Sequence, residues 1–205
     1  MTLQGKIAIV TGAGGGIGSG VAELMAKQGA SVVVNDAGSN LDGTGESQKS
    51  ADLVVEKINK NGGVAIANYE SIDNFTSCGR IIKAALDEFG GIDILCHTAG
   101  ILRDRMIFNM NEDEWDRVLE VHLNGAFNII KNALPLMVGQ KYGRIVLLAS
   151  ISGLRSSGQA NYASAKEAMV GIARSGSLEL KKYGITVNAV YPGGYTRMVA
   201  SIPDS

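Results

Sequence analysis

The apolar residues of this chain fall into six short runs, and amphipathic stretches separate the runs. Runs rich in Val, Ile and Ala are typical of parallel strands that are buried on both faces. The predicted strands are Lys6–Thr11, Ser31–Asn35, Val64–Asn68, Ile92–Cys96, Arg144–Ala149 and Ile185–Val190. Between them, apolar positions with helical spacing predict helices over Ile17–Gln28, Ser47–Asn61, Phe75–Phe89, Glu112–Gln140 and Ala160–Tyr183.

This alternation of strands and helices predicts an α/β fold, a doubly wound parallel sheet with helices on both faces. No repeat, linker or block of charge interrupts the pattern, so residues 1–205 are predicted to form a single domain. The stretch Ala37–Glu46 after the second strand is longer than a typical βα loop. It is either a surface excursion, which the pattern alone slightly favours, or a lip beside a bound ligand.

Composition excludes several classes of function. The chain is 45% hydrophobic and 19% charged with a net charge of −1, which argues against nucleic acid or an anionic membrane as a partner. No apolar run is long enough to span a bilayer, and Met1–Lys6 lacks the apolar region of a signal peptide, so a cytoplasmic location is predicted. A peroxisomal location through a C-terminal address stays open. Cys78 and Cys96 are too few for a disulfide framework or a cysteine metal site, and no metal is expected.

A glycine-rich turn follows the first predicted strand and opens the first predicted helix. Gly12, Gly16 and Gly18 are spaced as Gly-x-x-x-Gly-x-Gly. Glycines at such a turn let backbone N–H groups approach a phosphate closely, and the helix N-terminus adds a favourable dipole. The order of strand, turn and helix predicts a dinucleotide-binding site.

Asp36 ends the second predicted strand, where a carboxylate can accept both hydroxyls of an adenosine ribose. The same charge repels a 2′-phosphate, and no Arg or Lys lies near Asp36 in the sequence. We therefore predict NAD as the cofactor in preference to NADP. The alternative is an aspartate that only stabilises a turn.

Tyr162 and Lys166 are four residues apart in a predicted helix and so share one face. An ammonium beside a phenol favours the phenolate and lowers the pKa of the phenol. Such a pair can move a proton, although Tyr and Lys also fall four apart by chance on solvated helix faces. With the glycine turn, the pair suggests nicotinamide-dependent redox chemistry.

Several further motifs occur in one order along the chain. They are Thr11–Gly18, Ala99-Gly100, Asn124-Gly125, Ser150 with Ser152, Tyr162 with Lys166, and Pro192-Gly193. With this set the chain resembles the short-chain dehydrogenase/reductase family over essentially its whole length. The resemblance implies a Rossmann-type sheet and one dinucleotide-binding and catalytic domain over residues 1–205.

Other segments resemble one part of that family more closely. They are Val34–Gly45, Asn68–Ser71, Gly100–Arg105, Lys141–Ile145, Gly158–Tyr162 and Thr196–Met198. These segments are similar to the (3R)-hydroxyacyl-CoA dehydrogenase part of multifunctional enzyme type 2 and its bacterial single-domain relatives. The resemblance implies an NAD-dependent oxidoreductase that interconverts a (3R)-3-hydroxyacyl-CoA and its 3-oxoacyl form. The alternatives are a 3-oxoacyl carrier-protein reductase, a steroid or secondary-alcohol dehydrogenase, and a non-catalytic nucleotide-binding subunit.

The resemblance also implies a role for individual residues. Tyr162 would be the general acid in reduction, Lys166 would hold the nicotinamide ribose and Ser150 would hydrogen-bond the substrate oxygen. Asn124 would anchor a water in the proton path. The implied cofactor contacts are Gly12, Gly16, Ile17, Gly18, Asp36, Ser71, Ile72, Ala99, Gly100, Tyr162, Lys166, Gly194, Tyr195, Thr196 and Arg197.

Alternatives remain at several of these positions. Ser152 competes with Ser150 for the catalytic hydroxyl, and His97 and His122 are weaker candidates than Tyr162 for the acid–base group. His97-Thr98 stands where the family has Asn-Asn, and His97 is expected to replace the first Asn only in part. The charges of Arg103, Asp104 and Arg105 are either solvated or paired, or they contact a CoA phosphate.

The family's pattern continues past Thr196–Met198 with helices and a seventh strand. The seventh strand is therefore expected to be missing, and residues 1–205 are expected to be C-terminally incomplete. The resemblance further implies a homodimer or homotetramer that is formed through the helices Glu112–Gln140 and Ala160–Tyr183.

Overall fold

The computed structural model of the protein describes residues 1–45 and 47–193, and the strands among them form one parallel sheet. The strands are β1 Ile7–Thr11, β2 Ser31–Asn35, β3 Val64–Asn68, β4 Ile94–His97, β5 Gly143–Leu148 and β6 Ile185–Val190. Their order is β3-β2-β1-β4-β5-β6. The predicted Rossmann-type, doubly wound sheet is confirmed. The order reverses between β1 and β4, where the carboxyl ends of the strands form a crevice.

The helices are α1 Gly16–Lys27, α2 Lys49–Lys60, α3 Phe75–Phe89, α4 Glu112–Leu119, α5 Gly125–Gln140 and α6 Ala160–Leu180. The chain is helical over the whole predicted range Glu112–Gln140, and a π-helical turn at Glu120–Asn124 lies between α4 and α5. A single π-helical turn keeps the chain helical, so the apolar pattern hardly reveals it. Such turns often occur at functional sites.

Two apolar layers cover the sheet, one on each face. Alternate strand residues point to opposite faces, so Ile9 and Val33 pack towards α3, α5 and α6, while Val10 and Val32 pack towards α1 and α2. This two-sided burial explains why the strands are continuously apolar. No helix among the described residues is long and apolar enough to cross a membrane.

The centre of the sheet carries one buried polar link at its carboxyl edge. Nδ1 of His97 at the end of β4 lies 2.9 Å from Oγ1 of Thr11 at the end of β1, and both side chains are fully buried. His97 therefore joins the two central strands. Its Nε2 has no hydrogen-bond partner among the described residues, so His97 makes one side-chain bond where an amide could make more.

Candidate active site

A cavity of about 330 Å³ opens at the carboxyl edge of the sheet, where the strand order reverses. It lies between the loops that follow β1, β2 and β4, and it extends to the first turns of α6. The residues expected at the cofactor that line it are Gly12, Gly16, Ile17, Gly18, Asp36, Ser71, Ile72, Ala99, Gly100, Tyr162 and Lys166. Gly194, Tyr195, Thr196 and Arg197 lie outside the described residues.

The glycine turn is packed too tightly for side chains at two positions. A Cβ on Gly12 would lie 2.5 Å from the Cα of Ala99, and a Cβ on Gly18 would overlap the carbonyl oxygen of Gly12. The loops after β1 and β4 therefore touch through backbone. Helix α1 begins directly after this turn, and its N-cap Gly15 supplies no side-chain hydrogen bond. The N–H groups of the first helical turn thus remain available to an anion in the cavity.

Asp36 fixes the turn from the neighbouring strand. One carboxylate oxygen accepts the N–H of Gly14 at 2.7 Å, and the other accepts the N–H of Gly38 at 2.7 Å. The carboxylate is thereby held at the wall of the cavity, with further lone pairs on both oxygens. An aspartate that only stabilises a turn would bind N–H groups of its own loop. Asp36 instead binds one N–H group in the loop after β1 and one in the loop after β2.

The long loop after β2 forms part of the cavity wall, so the surface-excursion interpretation was wrong. Ser39, Asn40 and Leu41 line the cavity. The carbonyl oxygen of Leu41 accepts the N–H of Leu102 at 2.7 Å, which ties the loop to the segment after β4. The local sequence is rich in glycine and polar residues and therefore favours a surface loop. It does not show this contact with the segment after β4, which makes the loop part of the cavity wall.

Tyr162 and Lys166 lie on the cavity face of α6. The neighbouring Asn161 is fully buried, and its side-chain amide donates to the carbonyl oxygens of Arg103 and Glu114. Asn161 therefore anchors the first turn of α6, a role that sequence reasoning missed. Lys166 is 4% exposed, and its Nζ donates to the carbonyl oxygen of Leu148 at 2.7 Å and lies 5.5 Å from the centre of the Tyr162 ring.

Burial controls the protonation of both groups. It lowers the pKa of Lys166 to about 7, since an ammonium is costly in an apolar site. Burial also raises the pKa of Tyr162; the Ser150 hydroxyl acts against this rise and the Asp104 carboxylate adds to it. Lys166 is not among the causes of the shift at Tyr162.

Ser150 follows β5 and stands beside Tyr162. Its hydroxyl is close enough to the phenol to favour the phenolate. The Ser150 side chain also caps a short 3₁₀ turn, Ile151–Gly153, by accepting the N–H of Ser152 at 3.2 Å. Of the two candidate serines, the described structure places Ser150 at the phenol.

The structure does not bring Asn124 into the site. Asn124 is exposed at the end of the π-helical turn and does not line the cavity. Residues two apart on a helix point about 200° away from each other. His122 therefore faces inward instead, is fully buried, and lines the cavity beside Tyr162 and Lys166. The role of Asn124 stays a prediction, and the buried His122 is the side chain of this turn that lines the cavity.

The charges after β4 are paired with α4. Arg103 contacts Asp113 at 2.5 Å, and Arg105 contacts Glu114 at 2.6 Å. Of the two interpretations of these arginines, the described structure supports pairing. Exposed pairs of this kind contribute little stability, but they hold the segment that borders the cavity.

Known proteins are similar to this chain in sequence and in fold. The family model described as short chain dehydrogenase matches residues 6–204. A peroxisomal hydratase-dehydrogenase-epimerase of Saccharomyces cerevisiae is 43% identical over 203 residues, which are 98% of this chain and 22% of that protein. The chain thus spans about a fifth of the length of that relative.

Two shorter relatives are also similar. A 3-oxoacyl-acyl-carrier-protein reductase of Vibrio cholerae is 40% identical over 195 residues, which are 94% of this chain and 75% of the reductase. The crystal structure of a short chain dehydrogenase from Mycobacterium avium has a TM-score of 0.87 and 41% identity, and the match covers 94% of this chain and 71% of that one.

Proposed function

The chain belongs to the short-chain dehydrogenase family, and on this premise we propose that it is an NAD-dependent oxidoreductase acting on a (3R)-3-hydroxyacyl-CoA and its 3-oxoacyl form. Residues 1–205 would act as one dinucleotide-binding and catalytic domain. The observation that carries the proposal is the single cavity shared by the glycine turn, Asp36, Tyr162 and Lys166. A binding subunit without activity would not need the last two residues buried together at that cavity.

The cavity fits a dinucleotide. Gly12 and Gly18 have no room for a side chain, so the turn stays closely packed against the loop after β4, and the uncapped start of α1 can receive a pyrophosphate. Asp36 would accept the adenosine ribose hydroxyls, and Lys166 would hold the nicotinamide ribose. The nicotinamide ring, when bound, supplies the hydride for reduction and accepts it in oxidation.

The charges of the cavity support NAD over NADP. Asp36 is an anion where a 2′-phosphate would lie. Arg117 and Lys166 are the cations of the cavity lining among the described residues. Arg117 is already paired with Asp73 at 2.7 Å and with Glu120 at 2.6 Å, and Lys166 lies at the other end beside Tyr162. Neither cation is placed to compensate the negative charge of the 2′-phosphate of NADP.

Removing the charge of Asp36 should therefore reduce the preference for NADH over NADPH. We expect Asp36→Asn to lower the ratio of kcat/KM values for the two cofactors about tenfold, which corresponds to about 1.4 kcal/mol. Asp36→Ala should do the same and also weaken binding of both cofactors, because the N–H groups of Gly14 and Gly38 lose their acceptor. Steady-state rates with each cofactor measure both effects. Equal use of NADPH by the wild type, or an unchanged ratio in both variants, would refute the assignment.

The site residues divide the chemistry of reduction between them. Tyr162 would donate its hydroxyl proton to the oxygen of the ketone as the carbonyl carbon gains a hydride. Ser150 would donate a hydrogen bond to the same oxygen and stabilise the developing alkoxide. The Tyr162 phenolate would then regain a proton that comes from solvent past Lys166. Oxidation of the alcohol would follow the same steps in reverse.

The substrate class rests on similarity in sequence. The segments Val34–Gly45 and Gly100–Arg105 are those that resemble the (3R)-hydroxyacyl-CoA dehydrogenase part of multifunctional enzyme type 2. The second candidate is a 3-oxoacyl carrier-protein reductase, which the relative from Vibrio cholerae supports.

A homodimer or homotetramer is also proposed, since Phe127 of α5 and Leu178 of α6 are exposed. The proposed location is cytoplasmic, with a peroxisomal location left open.

Initial rates of NADH oxidation separate the two candidates. The test compares acetoacetyl-CoA, the acetoacetyl thioester of acyl carrier protein, and a ketone without a thioester. The proposal predicts the highest kcat/KM with acetoacetyl-CoA. A higher value with the carrier-protein thioester would favour the reductase, and activity confined to the simple ketone would contradict both.

A further inference from the structure

A second cavity, of about 260 Å³, lies at the surface beside the start of α6. Two segments line it, residues 104–106 after β4 and residues 156–159 before α6. The backbone N–H of Arg105 donates to the carbonyl oxygen of Gly158 at 2.7 Å, which joins the two segments. The chemistry proposed for the first cavity gives this second cavity no role.

Asp104 is the acidic residue of the second cavity, and Gln159 holds it in place. The amide Nε2 of Gln159 donates to Oδ2 of Asp104 at 2.7 Å, and the amide oxygen of Gln159 accepts the hydroxyl of Ser156 at 2.8 Å. Gln159 is 4% exposed, so both ends of a buried amide are paired and its orientation is fixed. Because Gln159 is the N-cap residue of α6, it lies three residues before Tyr162 and places Asp104 near the proposed proton donor.

The negative charge of Asp104 is not balanced inside the second cavity. Arg105 is the one cation that lines it among the described residues, and its guanidinium is paired with Glu114 at 2.6 Å. Lys166 lines the first cavity and not the second. Burial raises the pKa of Asp104, and the hydrogen bond from Gln159 acts against this rise. The second cavity is therefore a region of negative potential at the side of the proposed reaction centre.

The second cavity is also the open side at which a thioester can leave the site. The side chains of Arg105, Met106 and Ser157 at its rim are exposed. When the C3 ketone of a 3-oxoacyl substrate is bound at Tyr162, the C1 group lies two bonds from the reacting carbon. In a thioester C1 is neutral and carries the long arm that must reach solvent. In a free 3-oxo acid the same C1 is a carboxylate.

We propose that Asp104 is a specificity-determining residue, whose charge repels the C1 carboxylate of free 3-oxo acids and so restricts the enzyme to their neutral esters and thioesters. The inference deepens the proposed function and rests on the role of Tyr162 as proton donor. A protein can select one substrate by placing a like charge against its competitor. Asp104 makes no bond to the substrate in this role and takes no part in proton or hydride transfer.

Two small ketones that differ in charge at C1 test this role. Acetoacetate is an anion and methyl acetoacetate is neutral, and both are reduced with NADH at pH 8, where the Asp104 carboxylate is charged. The measured quantity is the ratio of kcat/KM for the ester to kcat/KM for the acid. We expect a ratio of at least about tenfold in the wild type, because unit charges of the same sign repel strongly at a partly buried site.

Asp104→Asn removes the charge and keeps an oxygen that can accept the hydrogen bond from Gln159. The ratio should fall about tenfold in this variant, through a rise in kcat/KM for acetoacetate. The charge of Asp104 also adds to the raised pKa of Tyr162, of which burial is the main cause. That effect acts on both ketones and cancels in the ratio, which a purely structural role of Asp104 would leave unchanged. An unchanged ratio in Asp104→Asn would overturn the inference.

Glu112→Gln is the matched control, because Glu112 is an exposed acid at the start of α4 that lines neither cavity. Its ratio should stay within about twofold of the wild-type ratio, since water screens a distant exposed charge. A fall in this control equal to that of Asp104→Asn would assign the effect to the overall charge of the protein and would overturn the inference.

Salt provides a second readout that needs no folded variant. Raising the KCl concentration from about 0.1 M to about 1 M shortens the screening length from about 10 Å to about 3 Å. The wild-type ratio should then fall at least about twofold, whereas the ratio of Asp104→Asn should change less. A wild-type ratio that does not respond to salt, or an equal response of both proteins, would contradict a repulsion by Asp104.

The rate with acetoacetyl-CoA keeps this inference apart from the proposed function. If the wild type reduces methyl acetoacetate but not acetoacetyl-CoA, the proposed substrate is wrong, and the ratio still decides the role of Asp104. If acetoacetyl-CoA is reduced while acetoacetate and its methyl ester are used equally well, the proposed substrate stands and the inference is overturned. Absence of turnover with all three compounds would overturn both.

Discussion

Tyr162→Phe should lower kcat for 3-oxoacyl-CoA reduction about a thousandfold while NADH binding stays within about twofold of wild type. The substitution removes one oxygen atom, the proposed proton donor, and general acid catalysis contributes about 10²–10⁴-fold. The ring itself should stay in place, because it is 9% exposed and packs against His122. The Tyr162→Phe variant should therefore lose catalytic turnover while it keeps its affinity for NADH.

The measurement combines steady-state rates with a fluorescence titration of NADH. Tyr183→Phe is the matched control, since Tyr183 lies in the 3₁₀ turn after α6 and does not line the cavity. Its kcat should stay close to that of wild type. Tyr162→Phe with more than a tenth of the wild-type kcat would remove Tyr162 from the mechanism. Loss of NADH binding together with turnover would show that the variant disturbs the site as a whole.

Gly18→Ala should weaken NADH binding about a hundredfold or more. A methyl group there would overlap the carbonyl oxygen of Gly12 and come within 2.5 Å of Oγ1 of Thr98, so the turn must move away from β4. That movement would displace the N–H groups proposed to hold the pyrophosphate. Overpacking of this kind also costs about 1–3 kcal/mol of folding stability.

Gly20→Ala provides the matched control two residues further along α1. A Cβ on Gly20 meets no atom within 4 Å, so the substitution adds a methyl group to an open helix face. Alanine in a helix interior is about 0.5–1 kcal/mol more favourable than glycine, so this variant should unfold at a slightly higher temperature and bind NADH as wild type does. Thermal unfolding and NADH titration of both variants test the turn. Wild-type affinity in Gly18→Ala would contradict its proposed role.

The regular elements of the fold could be predicted because their signals are local. The bounds of β2, β3, β6 and α3 agree with the predicted ranges, since an apolar run flanked by glycine or polar residues ends where burial ends. The π-helical turn could not be predicted, because one extra residue in a helical turn leaves the apolar spacing almost unchanged. In this turn His122 is buried and lines the cavity, whereas Asn124 is exposed and does not line it.

The site was only partly predictable for a related reason. Glycines, Asp36 and the Tyr162–Lys166 pair are recognisable from residue type and order along the chain. The contact between Leu41 and Leu102 joins residues that are far apart in sequence, so the loop after β2 could not be recognised as a wall of the cavity. The burial of Lys166 likewise cannot be seen in the sequence. This burial lowers the pKa of Lys166 to about 7.

The most direct test of the proposed function is to follow a labelled hydride into the product. Wild-type protein is incubated with acetoacetyl-CoA and NADH that carries deuterium at both C4 positions, and the 3-hydroxybutyryl-CoA formed is analysed by mass spectrometry and chiral separation. The proposal predicts one deuterium at C3 and the (3R) configuration, with about a thousandfold less product from the Tyr162→Phe variant over the same time. An unlabelled product or the (3S) configuration would contradict it.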